Sequence, residues 1–245
     1  MKQEKRPVCR IRLEEVDSTN RYAKTLSESD EWQLVTAEFQ TAGRGAGTNS
    51  WESERGENLL FSLVVRPKSL EASRAFALSE ALSLAISDAL SSYVEGVSIK
   101  WPNDIYCGQR KMTGILIENE LAGPLVRRSI LGVGLNVNQK RFVSDAPNPV
   151  SLRQVLGREV DREEVLERLL DRFALYVAML ENGRFDELHQ LYLSRLFRLG
   201  VEADYSDADG RFRATITGVE PGGHLLLTDT EGHQRRYAFK EVKYE

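Results

Sequence analysis

Three short stretches place residues that could manage negative charge. In "FQTAGRGAGTNSW", Phe39 to Trp51, Gly43, Gly45 and Gly47 surround a single guanidinium, Arg44, and Trp51 closes the run. Glycine lets backbone wrap closely around a ligand, and arginine offers a charged, planar set of donors. The run fits neither G-x-x-x-x-G-K-[ST] nor the dinucleotide fingerprint, so the two commonest nucleotide folds are not supported. In "KWPNDIY", Pro102 fixes a bend directly after a strand and displays an amide and a carboxylate, Asn103 and Asp104, side by side. Lys111 opens a strongly apolar strand, and if it points into a pocket it could neutralise charge developing on a phosphate or carboxylate. Each stretch also has a plainer reading: a mobile connection, a buried tryptophan beside a polar turn, and a solvated strand-entry lysine.

Two further patterns are compatible with a ligand site. "DSTN", residues 17–20, stands at the start of a helix, where such residues are most often caps but where free N–H groups can also bind a carboxylate. In "GVGLNVN", Gly132 and Gly134 alternate along a strand and remove side chains from one face, which relieves crowding or leaves a flat floor. His189, His224 and His233 are scattered, so neither a histidine metal cluster nor a serine-histidine triad is expected.

The elements that must position these residues alternate without repeats. "VCRIRLEEV", "LVTAEF" and "ENLLFSLVV" read as strands, the last two flanking the glycine loop. "DSTNRYAKTLSESD" reads as a helix that Asp17, Ser18 or Thr19 could cap. Leu78, Leu82, Ile86, Leu90 and Val94 recur at helical spacing and predict a long helix buried along one stripe. "VSIKW", "MTGILIENEL" and "RSILGVGLNVN" are predicted to be neighbouring antiparallel strands separated by turns at "CGQRK" and "AGPL". Beyond Pro147 and Pro149, Val165 to Leu180 and "FDELHQLYLSRLF" predict two more amphipathic helices. From Val201 onward, short strands punctuated by "DADG", "PGG" and "TEG" predict a small all-β barrel. The expected division is an α+β domain over residues 1–199 and a barrel over 200–245.

Composition narrows the partners. The chain has 245 residues, and its net charge of −4 offers no broad basic field for a nucleic-acid backbone. Cys9 and Cys107 fit neither a disulfide framework nor a zinc site. The N-terminus lacks the apolar core of a signal peptide, and no apolar run approaches membrane-spanning length. A cytoplasmic protein with no nucleic-acid or membrane partner is expected.

Taken in order, "STN", "QTAGRG", the following "W", "KWPND", "RKMTGILIE" and "GVGLNVN" resemble the biotin protein ligases over nearly the whole chain. The resemblance implies an α+β catalytic fold, with a mixed, largely antiparallel sheet related to that of lipoate ligases, followed by a small Src-homology-3-like barrel. It implies ATP-dependent formation of biotinyl-5'-adenylate, with Mg2+, and transfer of biotin to a lysine of a biotin carboxyl carrier domain. Some members carry an N-terminal DNA-binding domain; the first catalytic strand starts almost at once here, so none is expected. A homodimer is left open. The two rival readings are a lipoate-type ligase and a non-catalytic biotin-binding protein.

The resemblance also implies roles. Ser18, Thr19, Asn20 and Gln40 would bind the ureido ring of biotin. Arg44, with loop amides around Gly43, Gly45 and Ala46, would cover the carboxylate and then the adenylate phosphate. Lys111 would contact the biotin carboxylate, and Gly114, Gly132 and Gly134 would let backbone approach the biotin tail. Trp51 would wall the nucleotide pocket, Asn103 and Asp104 would sit at the triphosphate with Asp104 the magnesium ligand, and Asn136 would contact the nucleotide. The chain departs from the family at Ala46 and Gly47, where many members carry further basic residues. Loop closure must then rely on backbone N–H groups, on Asn49, or on a cation from elsewhere such as Arg55, and a comparatively loose loop is expected.

Overall fold

The computed structural model describes residues 6–45, 47, 49–143 and 148–245, so Ala46 lies outside the described residues. Two sheets organise the chain. In the larger, β1 (Val8–Leu13) runs parallel to β2 (Trp32–Ala37), and every other pairing is antiparallel. Next to β2 lies β3 (Leu59–Val65), then β7 (Leu125–Leu135), β6 (Arg110–Ala122), β5 (Asp104–Cys107) and β4 (Val97–Lys100) at the far edge. The fold is α+β with a mixed, largely antiparallel sheet. The strand β5 stands between β4 and β6, where the sequence pattern predicts direct neighbours; its short apolar core, Ile105 and Tyr106, is masked by the polar residues around it.

β3 is buried at every position, because the sheet is covered on both faces around it. On one face, α1 (Thr19–Ala23) and the residues after it pack Ala23, Tyr22 and Leu26 onto Val35, Val64 and Ile130. On the other lies α2 (Phe76–Ser91), flanked by α4 (Arg162–Glu181) and α5 (Phe185–Ser194). Here the single buried stripe gives way to a helix buried almost all round: every residue from Ala77 to Leu90 except Asp88 is inside. Sheet, α4 and α5 each claim one side of it, and Ser79, Ser83 and Ser87 are small enough to allow that approach.

Local chemistry explains other departures. α1 ends at Ala23, well short of the polar run "SESD", because the Ser27 carbonyl turns to accept from the Gln33 amide at 3.2 Å and from Arg66 at 3.3 Å. Ser18 is its N-cap by position but makes no side-chain cap bond; Asp17 accepts from the Ser18 N–H at 2.6 Å and pairs with Arg21. A further short helix, α3 (Leu152–Leu156), is fixed by a reciprocal capping box between Ser151 and Gln154.

The smaller sheet is antiparallel throughout, in the order β11 (Gln234–Tyr237), β10 (Leu225–Asp229), β9 (Gly210–Val219), β8 (Glu202–Asp207), β12 (Lys243–Tyr244). The segment expected as one final strand is split by a turn at residues 238–242, and its two halves pair with opposite edges. This sheet rests on the bend after β4. The Trp101 indole N–H donates to the Gly223 carbonyl at 2.9 Å, and Phe239 meets the Trp101 ring edge-on at 6.3 Å. Phe197 N–H donates to Ile99 O and Ile99 N–H to Arg195 O, each at 2.8 Å, so the segment after α5 also covers the edge of β4.

Candidate functional site

One cavity of about 1120 Å³ opens where β6 and β7, the glycine loop, the bend after β4 and the smaller sheet meet. Into it come Ser18, Thr19, Asn20 and Gln40 from one end and Asn103, Asp104 and Lys111 from the other. Arg44, Gly45 and Trp51 border it from the loop, and Gly114, Gly132, Gly134 and Asn136 from the sheet. Gly43 stands just behind, its carbonyl accepting from the Trp51 N–H at 3.0 Å.

The neutral end is a closed network. Gln40 Oε1 accepts from the Thr19 N–H at 2.8 Å and from its hydroxyl at 3.1 Å, which turns the Gln40 amide nitrogen toward Gly43. Ser62, fully buried on β3, lies 2.6 Å from Asn20 Oδ1 and 2.8 Å from Thr19 Oγ1. Asn20 donates to the Leu116 carbonyl at 3.2 Å and to Glu118 at 3.0 Å, and Glu118 also accepts from Lys24 at 2.7 Å. Burial alone would raise the Glu118 carboxyl; the bonds from Lys24 and Asn20, with the charges of Lys24 and Arg44, outweigh it and hold the group below its ordinary range. Ser62, Glu118 and Lys24 escape the sequence reading because each looks like an ordinary strand or helix residue until the register brings it beside Asn20.

The floor is built by register. Gly114 on β6 pairs with Gly134 on β7, and Leu116 with Gly132, so the three glycines share one face. A Cβ on Gly132 would sit 2.8 Å from Asn20 Cγ. A Cβ on Gly114 would lie 2.8 Å from Trp51 Cζ3, and one on Gly134 would lie 2.7 Å from Trp51 Cδ2. The glycines therefore hold a cradle in which the indole of Trp51 lies flat against the sheet. The Trp51 Nε1 and the Asn136 Oδ1 are both buried without a hydrogen-bond partner, two groups that a ligand in this cavity could satisfy.

The charged end gathers cations from separate segments. Lys111 Nζ donates to Asp104 Oδ2 at 2.6 Å and lies 6.0 Å from the centre of the Trp51 ring. Asn103 donates to the Ile115 carbonyl at 3.0 Å, which ties the bend after β4 to the floor strand. Lys100, pushed down by burial and by the charges of Lys111 and Arg198 against the opposing charge of Asp104, lies over the rings of Tyr106 and Tyr244. Arg55 points away to Glu15 and to the Glu14 carbonyl at 3.0 Å, so it does not serve the loop. Instead Lys240 and Lys243 of the smaller sheet border the cavity, a contribution that no local motif announces. Among the described residues, no group of three histidine, cysteine or acidic side chains forms a metal cluster.

The Biotin/lipoate A/B protein ligase family matches residues 13–136, and the chain belongs to that family. It is 32% identical over 232 residues to a biotin–acetyl-CoA-carboxylase ligase of Paracoccus denitrificans, covering 91% of this chain and 95% of that protein. It is 30% identical over 231 residues to the bifunctional ligase/repressor BirA of Bacillus subtilis, covering 91% of this chain and 70% of the relative. Among solved structures, the biotin protein ligase of Aquifex aeolicus in complex with biotin and ATP superposes with a TM-score of 0.81 at 29% identity, over 97% of this chain and 99% of the other.

Proposed function

We propose that the protein activates biotin with ATP, forming biotinyl-5'-adenylate and pyrophosphate, and then transfers the biotinyl group to a lysine of a biotin carboxyl carrier domain. The observation that carries this is the order of surfaces along one cavity: a neutral polar network, an apolar glycine-floored stretch, and then a cluster of cations. Biotin presents a ureido ring, an alkyl tail and a carboxylate in that order. Similarity to ligases solved with biotin and ATP supports the same reading.

The mechanism follows from what each group has left to offer. Thr19 gives both its N–H and its hydroxyl to Gln40 Oε1 and so acts by holding that amide, whose N–H orients the ureido ring with Ser18, while Glu118, Leu116 and Ser62 hold the Asn20 carboxamide beside it. In this structure the Trp51 indole covers Gly114 and Gly134, so the tail lies along Gly114, Gly132 and Gly134 once that ring lifts from the floor to stand between it and the nucleotide. The biotin carboxylate attacks the α-phosphorus of ATP, the bond to the β-phosphate oxygen breaks, and pyrophosphate leaves with that electron pair. Two anions must meet for this, and Lys111 and Arg44, aided by the amide of Gly43, offset the repulsion and stabilise the charge that develops, while the Gly45 N–H is held by the Asn49 carbonyl at 2.7 Å. Asn136 Oδ1 takes a donor from the nucleotide. In the second step the carrier lysine, as a free amine, attacks the activated carbonyl, AMP leaves, and the amine gives up its proton.

Mg2+ reaches such sites with the nucleotide and is held by one or two carboxylates plus substrate phosphates. Asp104 fits that need, because its bond to Lys111 engages Oδ2 and a carboxylate has a second oxygen to offer. The cation would neutralise phosphate charge, with Asn103 and Asp104 at the triphosphate. We also infer that residues 1–199 form the catalytic unit and 200–245 a small second unit. Incubation with biotin, Mg-ATP and a carboxyl carrier domain tests the reading: the carrier should gain one biotinyl group by mass. Labelling with lipoate in preference to biotin, or no pyrophosphate release, would overturn it.

A further inference from the structure

The turn at residues 238–242 presses a lysine onto the glycine loop. A Cβ built on Gly47 would overlap the Lys240 ammonium, with Lys240 Cε 3.2 Å away, so Lys240 fills the volume that a side chain at position 47 would need. Both residues have left-handed backbone, Gly47 at φ 68° and Lys240 at φ 72°. That conformation suits glycine, but for lysine it is costly and marks a position where the side chain is worth the strain. The turn holds Lys240 there by bonds of its own: Ala238 N–H donates to Glu241 Oε2 at 2.7 Å, and Glu241 N–H donates to Ala238 O at 3.2 Å. The neighbouring Phe239 anchors the turn to Trp101, beside Asn103 and Asp104. Lys240 itself is exposed, borders the cavity, and belongs to the sheet farthest from the glycine loop in sequence.

We propose that Lys240 is an anion-binding residue of the adenylation site, which clamps the phosphate of ATP and then of the acyl-adenylate between the smaller sheet and the glycine loop. Arg44 is the single cationic side chain between Gly43 and Trp51, and its neighbour at 47 has no side chain. A nucleotide phosphate entering the cavity beside Arg44 also meets the Lys240 ammonium, which lies against the same loop at Gly47, so two charges reach it without any basic residue at position 47. The smaller sheet thereby becomes part of the catalytic pocket.

The inference rests on the adenylation reading, and the test separates the two. Steady-state pyrophosphate release and single-turnover release of biotinyl-adenylate are measured for the parent, Lys240→Ala and Lys240→Arg, with melting temperature as the check on folding. Lys240→Ala should raise the KM for ATP about tenfold and speed adenylate release by a similar factor, the size expected for loss of one charge-assisted contact. The KM for biotin should change less than about twofold, since the neutral end is untouched, and Lys240→Arg should restore most of the loss. The KM for ATP should also rise less steeply with salt in Lys240→Ala than in the parent. A parent that forms adenylate and a Lys240→Ala variant with unchanged ATP KM and release overturns the assignment of Lys240 alone. A parent that forms no adenylate overturns the adenylation reading and this inference with it. Loss of ATP affinity in Lys240→Arg equal to that in Lys240→Ala also overturns it, because a charge contact tolerates that exchange and a purely steric one does not.

Discussion

The two ends of the cavity are built on opposite plans. At the neutral end, Thr19, Asn20, Gln40 and Ser62 bind one another in a chain of short contacts, most of it buried, that is tied off behind Asn20 by the carboxylate of Glu118. At the other end, Arg44, Lys100, Lys111 and Lys240 arrive from a loop, two strands and a separate sheet, and within the cluster Lys111 is fixed by an acidic partner, Asp104. A preorganised neutral network recognises a ligand by shape and hydrogen bonds, at little cost in reorganisation. A cluster of cations instead concentrates positive charge where an anion can be held. Recognition and chemistry are thus separated along a single groove, and substitutions at the two ends should fail in different ways.

The largest difference should come from Lys111. Lys111→Ala is expected to slow biotinyl-adenylate formation by about 100-fold or more, the range seen when a group stabilising developing charge is removed. The melting temperature should barely move, because a partly exposed ion pair stabilises the fold by at most about 1 kcal/mol. Pyrophosphate release in a single turnover and a thermal melt measure the two quantities. A slow rate accompanied by an equal loss of folded protein would mean that Lys111 is structural.

Gly132→Ala should act at the junction. The new methyl group meets Asn20 in a network that has no room to give, so overpacking of about 1–3 kcal/mol is expected in stability. The KM for biotin should rise about tenfold while the KM for ATP stays within about twofold. A variant that shifts both constants together would show that the two ends are not separable. Glu118→Gln should have a smaller effect in the same direction. It removes the charged acceptor that fixes Asn20 and Lys24, and loss of a charge-assisted bond there should raise the KM for biotin about fivefold, with the reaction rate at saturation preserved. Equal KM values before and after would remove Glu118 from the positioning of Asn20.

These two ends were not equally legible. "STN" and Gln40 are joined in sequence only by the family resemblance, whereas the alternation of Gly132 and Gly134 predicts their shared face without any structure. Ser62 and Glu118 complete that cluster only through the register of β3, β6 and β7, which pattern alone does not specify. At the charged end, Arg44, Asp104 and Lys111 each carry a local signal. Lys240 carries none, because a lysine in a terminal turn is ordinary until the smaller sheet is folded back onto the bend at Trp101. The stripe of α2 was visible, but its burial all round depends on α4 and α5, which reach it from nearly a hundred residues away.

The smallest effect, and the one that probes what supports the charged end, lies outside the cavity. On α5, Tyr192 donates to the Pro102 carbonyl at 3.0 Å, holding the bend that presents Asn103 and Asp104; one turn earlier, His189 Nδ1 meets Glu80 of α2 at 2.6 Å. The hydrogen bond to Glu80 raises the His189 pKa above 6.5 against the opposing effect of burial, with further support from the Glu80 charge, a backbone bond to Val219 and the charge of Asp186. Burial likewise raises the Glu80 carboxyl, so the pair retains its proton to higher pH in the folded state than in the unfolded chain. Stabilisation from His189 is thus fully present below pH 6.5 and is lost as pH rises through its raised folded value. His189→Gln should therefore flatten the decline of melting temperature on the alkaline side of neutrality, while keeping a neutral hydrogen bond to Glu80. The biotin end does not lean on this pair, so the KM for biotin should keep its own pH profile in the variant, and any activity change should fall on the ATP side. Melting curves across that pH range, for parent and variant, decide it: parallel slopes would mean that the Glu80 and His189 pair does not couple the fold to protons at all.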